Sequence, residues 1–178
     1  MEKLIITPLN IEKDIPIIAS WEEKFSNHPK YKEIKHFILE DNTYYCLDEV
    51  ILTNYEFFHI GNDEKNFCLS IKNNDEPVGF VLACLFNISI NNPELIIQYI
   101  VLNPEYQNLG YGTEVLKELL TNSENYFQYK PNEIYANIQK ENKSSLNLFK
   151  KFGFSFTKAP NDYVRAHKTI KTLDEEKI

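Results

Sequence analysis

The 178-residue chain carries 19 Lys and Arg against 26 Asp and Glu, a formal charge of −7, with 43% hydrophobic and 13% aromatic residues. That is the size of one domain with a proper core and excludes a disordered chain. The acidic balance excludes the basic face of a nucleic-acid binder, and no apolar run approaches the ~20 residues of a membrane span.

Three cysteines, Cys46, Cys68 and Cys84, are too far apart for a C-x-x-C pair. His28, His36, His59 and His167 share no ligand spacing, so no metal is expected. Cys84 inside VLACLF reads as a small buried hydrophobe. Reduced thiols and the lack of a secretory signal peptide point to the cytoplasm. The negative charge favours cationic small molecules or basic peptides by weak long-range attraction.

In chain order, Leu4-Ile5-Ile6 reads as a first strand leaving through Thr7-Pro8. Asn10 suits a helix cap, with Asp14, Ile15, Ile17, Ile18 and Trp21 following and Pro16 expected in the first turn. Tyr31 to Leu39 is helix-like, and Leu47 to Phe58 is aromatic-rich without a clear period. Phe67 to Ile71 and Val78 to Ile90 predict a hairpin closed by a four-residue loop, Asn73 to Glu76. Ile96 to Leu102 is an apolar strand that stops at Asn103-Pro104. From Thr113 the apolar positions Val115, Leu116, Leu119 and Leu120 recur at helical spacing, ending near Asn122 to Asn125. Glu133 to Gln139 is the next strand. Asn142 opens a helix with Leu146, Leu148, Phe149 and Phe152 on its apolar face and Gly153 at its end. Phe154 to Thr157 and Tyr163 to His167 predict a last strand pair, with 168–178 as a charged tail beyond a single domain over 1–167. Strands alternating with helices, with hairpins at both ends, predict an α/β mixed sheet covered by helices on its faces.

Gln107-Asn108-Leu109-Gly110-Tyr111-Gly112 lies between a strand and a helix. Loop N–H groups at a helix start form a ready anion site, and glycine lets a phosphate approach the backbone. Three readings of this loop compete. A dinucleotide fingerprint needs G-x-G-x-x-G, and only one G-x-G pair is present. A P-loop needs a lysine after its second glycine, where Thr113 and Glu114 stand. The third is Q/R-x-x-G-x-G/A, which the loop matches; a plain structural turn explains the same residues equally well.

Context decides for the third. The stretch V-L-N-P-E-Y-Q-N-L-G-Y-G-T-E-V-L from Val101 to Leu116 resembles the pyrophosphate loop of the GNAT superfamily of acyl-CoA-dependent N-acyltransferases. The stretch N-K-S-S-L-N-L-F-K-K-F-G-F from Asn142 to Phe154 is similar to that superfamily's second motif. The opening L-I-I-T-P-L and the hairpin D-E-P-V-G-F-V are similar too, so the resemblance covers nearly the whole chain. It implies a mixed central sheet of about six to seven strands with helices on both faces, whose fourth and fifth strands splay apart. It also implies acetyl-CoA as co-substrate. By that resemblance the backbone of Ile100, Val101 and Leu102 would hold the pantetheine arm like an added strand. Gln107, Asn108, Leu109, Gly110, Tyr111, Gly112 and Thr113 would hold the pyrophosphate, and Asn142, Ser145 and Phe149 complete the cofactor set. Gln107 stands where an arginine is common, and Lys143, Lys150 and Lys151 are candidates for the adenosine 3′-phosphate beside a solvated-face reading.

The implied reaction is N-acetyl transfer to a primary amine of a small molecule or peptide, by direct attack in a ternary complex. Phe149 occupies the position where the family often carries a proton-donating tyrosine, and Asn137 one where some members carry a glutamate. Glu94, near the start of the fourth strand, is the nearest carboxylate and the candidate catalytic base, beside a solvated strand-end reading. Tyr163 and His59 are further pocket candidates, with acceptor contacts expected from Trp21 to His59 and from the turn between the last two strands. Phe149 and the lack of an obvious base also suit a catalytically silent acyl-CoA-binding regulatory module. Exposed edge strands permit a monomer or a homodimer.

Overall fold

The structure is a computed structural model, which describes residues 4–21, 24–25, 65–88, 90 and 92–170. The helix-like stretch Tyr31 to Leu39, the region Leu47 to Phe58, the residues His28, His36, His59 and Cys46, and the tail from 171 lie outside the described residues.

One seven-stranded sheet organises the chain, in the order β1-β2-β3-β4-β5-β7-β6. The strands are β1 (Ile5–Pro8), β2 (Lys65–Asn73), β3 (Glu76–Phe86), β4 (Glu94–Leu102), β5 (Glu133–Gln139), β6 (Ser155–Lys158) and β7 (Tyr163–Thr169). All neighbours run antiparallel except β4 and β5, which are parallel. Four described helices cover it: α1 (Ile11–Ala19), α2 (Tyr111–Thr121), α3 (Ser123–Phe127) and α4 (Lys143–Lys151).

Period-two alternation sends side chains to two cores, one on each face of the sheet. On one face, Val81, Ala83, Leu85, Leu95 and Ile97 pack with Val115, Leu116 and Leu119 of α2, Phe127 of α3 and Phe149 of α4. On the other, Cys68, Phe80, Leu82 and Val101 meet Ile15 and Ile18 of α1, with Trp21 and Phe25 beyond it. The α1 layer is also held electrostatically. Asp14, 2% exposed, accepts from the Asn10 N–H at 2.9 Å and pairs with Lys72 of β2 at 3.0 Å. Isolated, that carboxylate would be costly to bury; its two partners offset the desolvation.

Several boundaries differ from the sequence expectation for local reasons. Asn10 caps α1 as expected, its side chain accepting from the Lys13 N–H, but the helix begins at Ile11, so Pro16 falls inside it rather than in its first turn. The β2–β3 hairpin closes in two residues, not four: Asn74 and Asp75 have φ of 49° and 66°, and Asn73 pairs with Glu76. Two successive positive φ values make the type I′ turn that matches strand twist. Strand β3 ends at Phe86, four residues before Ile90, because Asn87 turns left-handed at φ 58° and its carbonyl accepts from the Asn92 N–H. Helix α2 starts at Tyr111, and β7 runs on to Thr169, with the Ile170 N–H donating to the Asn132 carbonyl. Gly79 permits the close approach of β3 to β4, since a Cβ there would lie 2.4 Å from the Val101 carbonyl oxygen.

Candidate active site

The site is built where β4 and β5 stop being neighbours. Their pairing covers only Glu94, Leu95 and Ile96 against Glu133, Ile134 and Tyr135. From Ile97 onward the β5-facing edge of β4 has no partner strand among the described residues, which leaves a strip of backbone donors and acceptors open.

A bulge sharpens the opening. Leu82 pairs with Tyr99 and Ala83 with Ile97, so Gln98 is the extra residue. It inverts the alternation: Leu95 and Ile97 face the α2 layer before it, and Ile100 and Leu102 after it. Tyr99 and Val101 are thereby turned to the α1 face. Such bulges re-aim side chains beside sites.

A cavity of about 300 Å³ fills the gap between the strands. Its walls come from Ile97 to Leu102 of β4, Ala136, Asn137 and Ile138 of β5, the loop before α2, the start of α4, and Phe25. Of the residues expected to hold cofactor, Ile100, Val101, Leu102, Gln107, Asn108, Gly110, Gly112, Thr113, Asn142, Ser145 and Phe149 line it together. Leu109 and Tyr111 do not. Leu109 points outward, 54% exposed, while the Tyr111 ring is buried against Tyr106 with centroids 5.8 Å apart. Only the Tyr111 main chain remains at the helix start.

The loop is shaped by its own backbone. Asn103 caps the 3₁₀ turn Pro104–Tyr106, and the Gln107 side-chain amide donates to the Leu102 carbonyl at 2.8 Å. Gln107 thus ties the loop to the strand end. Asn108 and Gly110 take positive φ, 60° and 90°, and Gly110 is the N-cap of α2. The N–H groups of Thr113 and Glu114 fold back onto the Gly110 carbonyl. Those of Tyr111 and Gly112 belong to the first turn, which supplies no intrahelical acceptor. With no Lys or Arg in Gln107–Thr113, the positive end of α2 is the local source of positive potential.

Gly112 tests the fit of a phosphate here. A Cβ at 112 would meet only Leu148 at 3.7 Å and Leu102 at 3.8 Å, which are ordinary contacts. Among the described residues nothing crowds a Cβ at this position, and its absence leaves the backbone open to a phosphate. At the other wall, Asn142 caps α4, accepting from the Ser145 N–H and the Ser144 hydroxyl at 3.2 Å. Phe149 is buried and packs edge-on to Phe154, at 4.9 Å between centroids. Lys143, Lys150 and Lys151 are exposed and stand outside the cavity lining.

The α1 face beside the cavity is polar. Glu133, Tyr135, Asn137 and Gln139 alternate along β5, opposite Thr169, His167, Arg165 and Tyr163 of β7. His167 bonds Glu133 and stacks on Tyr135, and the Thr169 hydroxyl donates to the same carboxylate. Burial pushes the Tyr135 phenol above its ordinary pKa, Glu94 and Glu133 push the same way, and Arg165 opposes them. Glu94, the expected base, sits at the paired end of β4, outside the cavity lining, and accepts from Asn87 at 2.9 Å. Tyr163 is half-buried on β7 and does not line the cavity. Two features of this region are not expected from the sequence: the bulge at Gln98, which has no local signature, and the bond from Arg165, outside the lining, to Asn137, 28 positions away. One signal was available for the second: Arg165 is the only arginine in the chain.

A sequence model of the Acetyltransferase (GNAT) family matches residues 21–154. The chain belongs to the GNAT acetyltransferase family. The match to N-alpha-acetyltransferase 50 of Danio rerio is 30% identical over 92 residues, or 52% of this chain, and it spans about half of that relative, 53%. An acetyltransferase from Thermus thermophilus shares the GNAT fold with a TM-score of 0.65 at 17% identity, covering 96% of this chain and 100% of that one. The spermidine N-acetyltransferase of Vibrio cholerae, solved with CoA and spermine, gives 0.62 at 19% identity over 93% and 95%. Among the described residues of this GNAT chain, no helix is long and apolar enough to cross a membrane, and no group of three or more His, Cys, Asp or Glu is placed to hold a metal.

Proposed function

We propose that this single-domain GNAT protein transfers an acetyl group from acetyl-CoA to a primary amine of a small molecule or peptide, by direct attack in a ternary complex. One observation carries the reading: the edge of β4 beyond Ile96, unpaired among the described residues, leads straight to the first turn of α2. The pantetheine amides bond the open edge at Ile100 to Leu102 as an added strand would. The pyrophosphate sits on the N–H groups of the Gln107–Thr113 loop and the helix dipole. A neighbour of the same fold was solved with CoA and spermine, which supports CoA as the donor.

The thioester then lies near the bulge, where a β4 N–H stabilises negative charge developing on the carbonyl oxygen. The amine enters from the α1 face, and holding it against the carbonyl supplies several kcal/mol of the barrier. Among the described residues that line the cavity, none is a carboxylate or a histidine. Proton removal from the ammonium therefore runs through water to the polar row, where Glu94, Glu133 and His167 accept. Phe149 donates no proton to the departing thiol, whose pKa of about 8.5 lets it leave as thiolate. The buried thiols of Cys68 and Cys84, neither in a disulfide, suit a reducing cytoplasm.

Phe149 and a described lining without carboxylate or histidine also favour a second reading, a silent acyl-CoA-binding module. Acetyl-CoA mixed with the protein and a panel of amines and peptide N-termini separates the two by free-thiol release. Acceptor-dependent release is expected. Tight CoA binding with no release above background across the panel would establish the silent module instead.

A further inference from the structure

We infer that Arg165, oriented by Asn137, recognises a carboxylate on the acceptor, so that the substrate class is an amine bearing a carboxylate a few bonds away, as an amino acid does. The inference rests on the acetyl-transfer reading for the position of the reacting amine. It begins with the chemistry of the side chain. Arg165 is the only arginine among the 19 Lys and Arg. A guanidinium presents paired donors in a fixed fork that matches a carboxylate, which an ammonium does not.

Its placement gives that fork a task. Arg165 on β7 lies directly opposite Asn137 on β5, and its Nε donates to the Asn137 side-chain oxygen at 3.2 Å. Asn137 lines the cavity, and Arg165 stands exposed just beyond that lining. The single neutral bond sets the plane of the guanidinium and leaves its two terminal nitrogens for a ligand. Among the described residues no carboxylate pairs with Arg165. The acidic groups of this face are held elsewhere, Glu133 by His167 and Thr169, and Glu94 by Asn87.

Spacing then limits the ligand. The reacting amine must reach the gap beside β5, and β7 is the next strand, about 4.8 Å further. A carboxylate on Arg165 thus sits only a few bonds from that amine. A second observation points to a polar ligand on this face. Gln139, two residues beyond Asn137 on the same side of β5, is 6% exposed, and its side-chain oxygen has no hydrogen-bond partner. Buried orphan acceptors are uncommon; Gln139 stands outside the cavity lining, so a ligand N–H would have to extend past Asn137 to satisfy it.

Calorimetric titration of the CoA-saturated protein with the common amino acids, each paired with its decarboxylated amine (phenylalanine with phenethylamine, lysine with cadaverine), tests this. At least one amino acid should bind tenfold or more tightly than its decarboxylated partner. Arg165→Gln should erase that difference in a protein with unchanged thermal unfolding, and Arg165→Lys should restore only part of it. Equal binding within every pair, binding of no amino acid, or a preference that survives Arg165→Gln overturns the inference, leaving Arg165 a cross-strand partner of Asn137. Thiol release separates this from the reading beneath it. Equal acetylation of amines with and without a carboxylate keeps acetyl transfer and removes the carboxylate site. Carboxylate-dependent binding with no release for any amine keeps the site and removes acetyl transfer.

Discussion

The two ends of the cavity are made of different materials. The proposed donor end, Gln107 to Thr113 with the open edge of β4, is main chain: loop N–H groups, a helix dipole and strand amides left unpaired by the described strands. The proposed acceptor side is side chain: Asn137 of the cavity lining and, beyond that lining on the same face of β5 and β7, Arg165, Tyr135, His167 and Glu133. Main-chain sites tolerate almost any side chain that permits the backbone path, and they bind what is common to all acyl-CoA donors. Side-chain sites change with each substitution and bind what differs between acceptors. Substitutions at the donor end should therefore act through backbone access, and those at the acceptor end through individual functional groups.

The strongest way to break this contrast is Gly110→Asp. It adds a side chain at φ 90° and a negative charge beside the expected pyrophosphate. CoA affinity should fall by more than about 100-fold by equilibrium dialysis, and unchanged affinity in a folded variant would refute the main-chain cradle. Gly112→Ala is gentler and cleaner. Because its Cβ meets only ordinary contacts, thermal stability should hold within about 1 kcal/mol while CoA affinity drops about tenfold. Equal affinity would mean that no phosphate approaches residue 112.

Phe149→Tyr asks whether the donor end needs a proton. CoA affinity should stay within about threefold, because the change leaves the backbone alone, and kcat should rise if protonation of the thiolate limits turnover. A tenfold loss of affinity would place Phe149 against a different part of the donor.

The smallest effect is on alkaline stability, with one group in each layer. Burial pushes the Cys68 thiol on the α1 side from 9.0 up to about 12. Burial, then the hydrogen bond to Glu118, pushes the Tyr126 phenol on the α2 side from 10.0 up to about 12. Both folded values lie above the unfolded ones, so each contribution is complete below its unfolded value and is lost as pH rises toward 12. Urea midpoints should decline between about pH 9 and 11, and Cys68→Ala with Tyr126→Phe should flatten that decline. A midpoint independent of pH in the parent protein would contradict the burial of both.

Legibility follows the same division. The loop, the cap at Asn142 and the left-handed Gly153, at φ 74°, are readable because each is a short-range pattern. The two-residue turn at Asn74-Asp75 is not, because Asn and Asp tolerate positive φ without announcing it. Pro16 departs from expectation because the helix begins one residue after its cap, which brings five residues in before the proline. The bulge at Gln98 is invisible in sequence, since an extra residue has meaning only against a partner strand.

By itself the sequence determined the family resemblance, the strand–loop–helix of the donor site and the glycines that open it, because these depend on residues within a few positions of one another. Only the tertiary structure decided that Gln98 turns Tyr99 to the α1 face, that Glu94 stands outside the cavity, and that Arg165 bonds Asn137 of the cavity lining. Those are matters of register between distant strands, and register is set by the packing of whole faces rather than by any one stretch of chain.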